Sequence, residues 1–92
     1  MSKPELERLR GEIDRVDDEL AALLCERFRL VDEIGAYKAA CGLPVQDESR
    51  EEEILERIKA RAGDFGSEAK VIFYLLLLIS RSRQEKRRAD ES

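Results

Sequence analysis

The sequence predicts an all-α fold with three helices per chain: a long first helix, a short second and a medium third. Three observations lead there. Apolar residues recur at steps of three and four from Leu6 to Tyr37, the period of one helix face. Helix-ending and helix-starting residues then follow at Gly42, Pro44, Ser49 and Gly63. Strand-type alternation is absent throughout. With 92 residues and no linker, low-complexity tract or internal repeat, the expectation is one domain over residues 1–92. Its helices are expected at about 4–41, 49–61 and 68–87.

The first helix carries the most information. The row Leu6, Leu9, Ile13, Val16, Leu20, Leu23, Arg27, Leu30, Ile34 and Tyr37 is apolar except for Arg27. Burying a guanidinium costs several kcal/mol unless an anion meets it, so the stripe reads as built to receive negative charge. At 1.5 Å per residue such a helix is roughly 55 Å long, far beyond the ~12 Å radius of gyration of a compact domain this size. Two chains wrapped around each other are therefore expected. Gly42 fits a C-terminal cap, with Pro44 two residues on. Gly11 and Gly35 inside the helix cost up to about 1 kcal/mol each relative to alanine; close packing on the backbone and chance explain them equally well.

After the loop Leu43 to Glu48, Ser49 with Glu52 reads as a capping box opening the second helix, whose apolar residues are Ile54, Leu55 and Ile58. Gly63-Asp64-Phe65-Gly66 is a turn, and Ser67 can cap the third helix. That helix carries the run Val71 to Ile79, expected to be buried on most sides, and turns polar at Ser80.

Composition narrows the function. Seventeen basic against 21 acidic residues give a net charge of −4, which argues against general nucleic-acid affinity. The longest apolar run is nine residues, where a bilayer span needs about 20, and no leader pattern opens the chain, so a cytoplasmic protein with no membrane partner is expected. Cys25 and Cys41 fit no metal or redox spacing and read as reduced packing cysteines. With no histidine, neither a zinc site nor a histidine-based triad is expected.

Three polar sets remain. Arg27 and Lys38 lie eleven residues apart on one face, roughly 16 Å along the axis, so their long side chains can converge on one small dianion. Arg10 is roughly 25 Å from Arg27, but an antiparallel partner chain would bring its Arg10 over this chain's Arg27. Snorkelling, or ion pairs with Asp17, are the plainer reading of these cations. Asp47, Arg50 and Glu51 cluster at the start of the second helix, consistent with capping or with a binding edge. Ser80 and Gln84 project from one face of the third helix, where a hydroxyl and a neutral amide can bind a substrate oxygen without adding charge; equally, Ser80 marks only where burial ends and Gln84 is a surface residue.

The succession Leu9-Arg10-x-x-Ile13-Asp14-x-x-Asp17, Arg27, Ile34-Gly35-x-x-Lys38, Asp47-x-x-Arg50-Glu51 and Ser80-x-x-x-Gln84 resembles the all-α AroQ-type chorismate mutases, over nearly the whole chain. The resemblance implies an intertwined homodimer converting chorismate to prephenate in phenylalanine and tyrosine biosynthesis, without metal or cofactor. It also implies roles. Arg27 and the partner chain's Arg10 hold substrate carboxylates, and Lys38 reaches a carboxylate and the ether oxygen of the breaking bond. Gln84 hydrogen-bonds that oxygen from the other side. Glu51, helped by the backbone around Asp47, holds the ring hydroxyl, while Ser80 and Arg50 complete the pocket around the ring carboxylate.

Such a rearrangement needs a compact substrate conformer and stabilisation of charge developing on the ether oxygen, not a nucleophile or base. Isochorismate-pyruvate lyases share the fold and the cation set; an acid at Glu51 favours the mutase. A non-catalytic helical dimer, or a subunit docking another shikimate-pathway enzyme, is the reading of a different class. Arg81, Ser82 and Arg83 add positive charge beside the Ser80 and Gln84 pair, with attraction of an anionic substrate their simplest use.

Overall fold

A computed structural model describes residues 2–91, with only the backbone of Glu91. The described residues form three α-helices, α1 (Lys3–Ala40), α2 (Glu48–Ala62) and α3 (Gly66–Glu91), with one 3₁₀ turn at Gly63–Phe65 and no strand. By its internal contacts the chain divides into two compact units, residues 1–30 and residues 31–92. None of these helices is long and apolar enough to cross a membrane.

The unit of residues 1–30 holds the first part of α1. Ser2 Oγ accepts the Glu5 N–H at 3.3 Å, satisfying one of the orphan donors of the first turn, and Pro4 sits where its missing N–H costs nothing. Arg8 pairs with Glu5 and, at 3.2 Å, with Glu12; Arg15 pairs with Glu19 at 2.9 Å, one turn along the wet face. No described residue of this unit is buried, and Ile13, Leu20 and Leu23 are 59%, 53% and 61% exposed. A single helical segment cannot cover its own apolar face. Cys25 is a free, exposed thiol and not the packing residue expected, and a Cβ on Gly11 would meet nothing within 4 Å.

The unit of residues 31–92 contains the end of α1, then α2 and α3, which pack against each other. Its buried apolar residues are Val31 on α1, Ile54 on α2, and Leu76 and Leu77 on α3. Helix α1 stops as the sequence predicts. Gly42 takes the left-handed conformation at φ 69°, the Leu43 N–H reaches back to the Lys38 carbonyl at 2.8 Å, and the Gly42 N–H to that of Ala39 at 3.3 Å. This is a Schellman closure, and a side chain at position 42 would strain it. Cys41, just before the cap, is exposed.

Both later helices begin earlier than the sequence reading places them. Asp47, not Ser49, caps α2: its backbone is extended at φ −130°, its Oδ1 accepts the Arg50 N–H at 3.0 Å, and its carbonyl accepts the Glu51 N–H. Asp and Ser are near-equal caps, so the position that ends the extended loop decides. The turn Gly63–Phe65 is helical enough to run directly into α3 at Gly66, leaving Ser67 inside the helix. Val71, Ile72, Tyr74 and Leu75 are more than half exposed, so the apolar run of α3 is buried here only along the row through Leu76 and Leu77.

Candidate functional site

The inward row of α3 reads Phe73, Leu77, Ser80 and Gln84 at steps of four, three and four, and it changes from apolar to polar without leaving the interior. Ser80 and Gln84 are only 7% and 9% exposed. Buried polar groups carry a desolvation cost of about 1–3 kcal/mol each unless satisfied, so each partner matters. Ser80 Oγ donates to the Leu76 carbonyl at 2.7 Å, one turn back. Gln84 donates from Nε2 to the Val31 carbonyl of α1 at 3.4 Å, a long bond, and its Oε1 is buried with no hydrogen-bond partner among the described residues. The fold thus brings the amide inside and leaves it incompletely satisfied.

Gly35 is what lets Gln84 come so close. A Cβ at this position would lie 2.9 Å from Gln84 Cγ, under the limit of real carbon contacts. Of the two readings the sequence allows for this glycine, close packing on the helix backbone is the one found.

Lys38 occupies the last turn of α1, and the fold fixes it at both ends. Its carbonyl closes the Schellman cap, and its Nζ donates to the Val45 carbonyl at 2.7 Å in the loop before α2. The ammonium has three donors, so this anchor leaves two for other acceptors. Glu51, in the first turn of α2, is 19% exposed; its Oε2 lies 3.1 Å from Arg81 Nε of α3, which is itself 26% exposed.

The remaining predicted residues are placed differently. The Asp47 carboxylate is occupied as the α2 cap. Arg50 is exposed and pairs with Glu53 one turn along α2. Arg10 and Arg27 belong to the unit of residues 1–30, where Arg10 is exposed and Arg27 half-buried.

Among the described residues, three ionic contacts between distant positions escaped sequence reasoning, one of them Lys70 Nζ of α3 with Glu56 Oε1 of α2 at 3.2 Å. Arg83 grips Asp32 with two parallel bonds, Nε to Oδ1 at 3.1 Å and Nη2 to Oδ2 at 2.7 Å, while Arg87 Nη1 reaches the Asp32 carbonyl at 3.4 Å. The hydrogen bonds from Arg83 hold the Asp32 carboxyl below the usual aspartate range, and the same contact raises the Arg83 guanidinium further. The four-residue spacing of Arg83 and Arg87 was the available signal; nothing in the sequence marked Asp32 as their acceptor. The Arg81 and Glu51 pair had no signal beyond the charge of Arg81.

The family model of type II chorismate mutases matches residues 9–86. The chain belongs to the type II chorismate mutase family. Among curated type II chorismate mutase relatives, the bifunctional chorismate mutase/prephenate dehydratase of Aquifex aeolicus is 43% identical over 75 residues, 76% of this chain. The chain spans only 21% of that protein, so the comparison concerns one part of a longer fusion. The intracellular chorismate mutase of Mycobacterium tuberculosis is 36% identical over 80 residues, 87% of this chain and 72% of that protein. Among solved structures, a conserved hypothetical protein from Pyrococcus furiosus superposes with a TM-score of 0.73 at 36% identity, covering 91% of this chain and 99% of that one. Membership in the chorismate mutase family and these relatives support an isomerase function in aromatic amino acid biosynthesis.

Proposed function

We propose that this chain rearranges chorismate to prephenate as a single catalytic domain, in a site that two copies of the chain build together. The observation that carries the reading is the inward row of α3. Its two buried polar residues, Ser80 and Gln84, stand at positions where the family resemblance implies substrate contact, and Gln84 Nε2, which gives one hydrogen to the Val31 carbonyl, has a second to offer a substrate oxygen.

The chemistry follows from the residue types. The substrate is a dianion that must fold into a compact conformer before its C–O bond breaks and a C–C bond forms. Arg27 and Arg10 of the partner chain hold its carboxylates, which fixes that conformer. As negative charge grows on the ether oxygen, Lys38 donates from one side and Gln84 from the other. Glu51 accepts the ring hydroxyl beside the Asp47 cap, and Ser80 and Arg50 complete the pocket around the ring carboxylate. All these positions carry residue types able to play those parts, and no proton leaves the substrate.

A second copy is the occupant proposed for the exposed apolar face of α1. Within the unit of residues 1–30, Ile13, Val16, Leu20, Leu23 and Leu30 repeat along one row and are all 45–61% exposed in the single chain. A continuous apolar stripe of that size marks an interaction surface. An antiparallel copy covers it with its own equivalent row, and the same arrangement delivers Arg10 to Arg27. A cytoplasmic location fits the intracellular naming of the mycobacterial relative. Docking to a further enzyme of the same pathway fits the fused domains of the Aquifex relative.

The direct test mixes the purified chain with chorismate and follows the loss of its ultraviolet absorbance, with prephenate identified as product. Absence of turnover overturns the proposal. Release of salicylate from isochorismate, with chorismate untouched, would establish the lyase instead.

A further inference from the structure

Arg81 and Arg83 stand two residues apart on α3, yet they serve different helices: Arg83 reaches Asp32 on α1, and Arg81 reaches Glu51 on α2. We propose that Arg81 is a positioning residue for Glu51, setting which carboxylate oxygen is presented to the ring hydroxyl of the substrate and thereby the preference for substrates that carry it. This rests on the assignment of Glu51 to that hydroxyl made above.

Glu51 is a flexible side chain with two equivalent oxygens, and an acceptor works best when its geometry is fixed before the ligand arrives. Arg81 Nε stands 3.1 Å from Oε2, with both side chains mostly withdrawn from solvent, where charge contacts are screened less than on the surface. The buried Nε–H is not aligned with that oxygen and makes no hydrogen bond among the described residues, so the contact acts through charge. A cation on the Oε2 side favours the conformer that leaves Oε1 for the incoming hydroxyl. The location supports the same role: Arg81 follows Ser80 directly and precedes Gln84 by three residues, so it shares their stretch of α3. The pair also ties α2 to α3 where the two carry site residues.

The test compares the full-length chain with Arg81→Met, Arg81→Lys, Glu51→Gln and the Arg81→Met/Glu51→Gln double variant. The substrates are chorismate and a chorismate analogue lacking the ring hydroxyl, with melting temperature recorded for each protein. Arg81→Met is expected to lower kcat/KM for chorismate about tenfold, chiefly through KM, and to leave the analogue within about twofold. In the Glu51→Gln background the same change is expected to have no further effect. Arg81→Lys keeps a cation on a more flexible stem and is expected to lose only about threefold, on chorismate alone. Equal losses on both substrates by either Arg81 variant, or an undiminished loss in the Glu51→Gln background, would overturn the role. The Lys variant decides the matter if the Met variant does not fold. Failure of the underlying reading looks different: the unaltered chain would not turn over chorismate, or Glu51→Gln alone would leave chorismate kinetics unchanged.

Discussion

Gly35 and Gln84 share a space that has no room for one more carbon: a Cβ on Gly35 would stand 2.9 Å from Gln84 Cγ. Two effects of Gly35→Ala therefore oppose each other. Alanine raises helix propensity by about 1 kcal/mol. Against this, Cγ lies near the root of a buried side chain, so the clash moves the whole amide and not just its tip. The expected outcome is a melting temperature within a few degrees of the original and a kcat/KM for chorismate lowered at least about tenfold. Unchanged kinetics in a folded Gly35→Ala protein would show that Gln84 has no positional role.

Lys38 is held by the Val45 carbonyl and by the Schellman closure of its own carbonyl, which presets the ammonium before any substrate arrives. On the proposed role, Lys38→Ala removes a cation facing the developing charge on the ether oxygen. Loss of one such preorganised donor costs about 10²–10³ in rate, and loss of the carboxylate contact adds to it, so a fall of at least about 10³ in kcat/KM is expected with the folded assembly retained. Near-normal turnover by that variant would refute the assignment.

Asp47 separates a structural role from a chemical one. Its carboxylate caps α2 through the Arg50 N–H. Asp47→Ala should cost about 1 kcal/mol of stability, visible in thermal unfolding, whereas Asp47→Asn should cost little because the amide oxygen caps as well. A fall in kcat/KM with Asp47→Asn at unchanged stability would mean that the charge itself serves the substrate.

How far this molecule was legible from its sequence varies with the kind of signal. The long first helix, its stop at Gly42 and the polar turn of the third helix at Ser80 were readable, because period, cap and polarity change are local properties of the chain. The start of α2 was not, because Asp47 and Ser49 are both good caps and only the extended backbone before Glu48 chooses between them. The use of Gly35 was half legible: a glycine in a helix signals a close approach, but not that the approaching group is Gln84, 49 residues away. The Arg83 and Asp32 clamp is a contact between distant segments of opposite charge on a chain that is 41% charged, and composition offers too many equivalent pairs to single it out.

The Asp32 clamp predicts an acid-sensitive contribution to stability. Hydrogen bonds from Arg83 lower the Asp32 pKa in the folded chain relative to the unfolded one. A group whose folded pKa is depressed stabilises the fold fully above its unfolded pKa, and that contribution is lost as pH falls through the folded value. The clamp should therefore weaken only below the usual aspartate range. Asp32→Asn is expected to lower the melting temperature slightly at neutral pH and to make no difference at the acid end. Curves for the two proteins that stay parallel through that acid range would show that the clamp does not stabilise the fold.

Arg27→Leu distinguishes an enzyme from a helical dimer without activity. Arg27 is the one cation in a row of leucines, isoleucines, a valine and a tyrosine, and it is half-buried in the single chain. Covering that row with a second copy would bury the guanidinium further. A buried charge replaced by an apolar side chain of similar volume is commonly neutral for stability or a gain of about 1–4 kcal/mol. Leucine at this position should thus keep or raise the melting temperature and leave the assembly a dimer by sedimentation. If the arginine is there for a carboxylate, the same variant loses at least about 10³ in kcat/KM, since a charge contact to the substrate dianion has no apolar substitute. A dimer that gains stability and still turns over chorismate normally would remove Arg27 from the site, and a chain that sediments as a monomer would remove the shared site altogether.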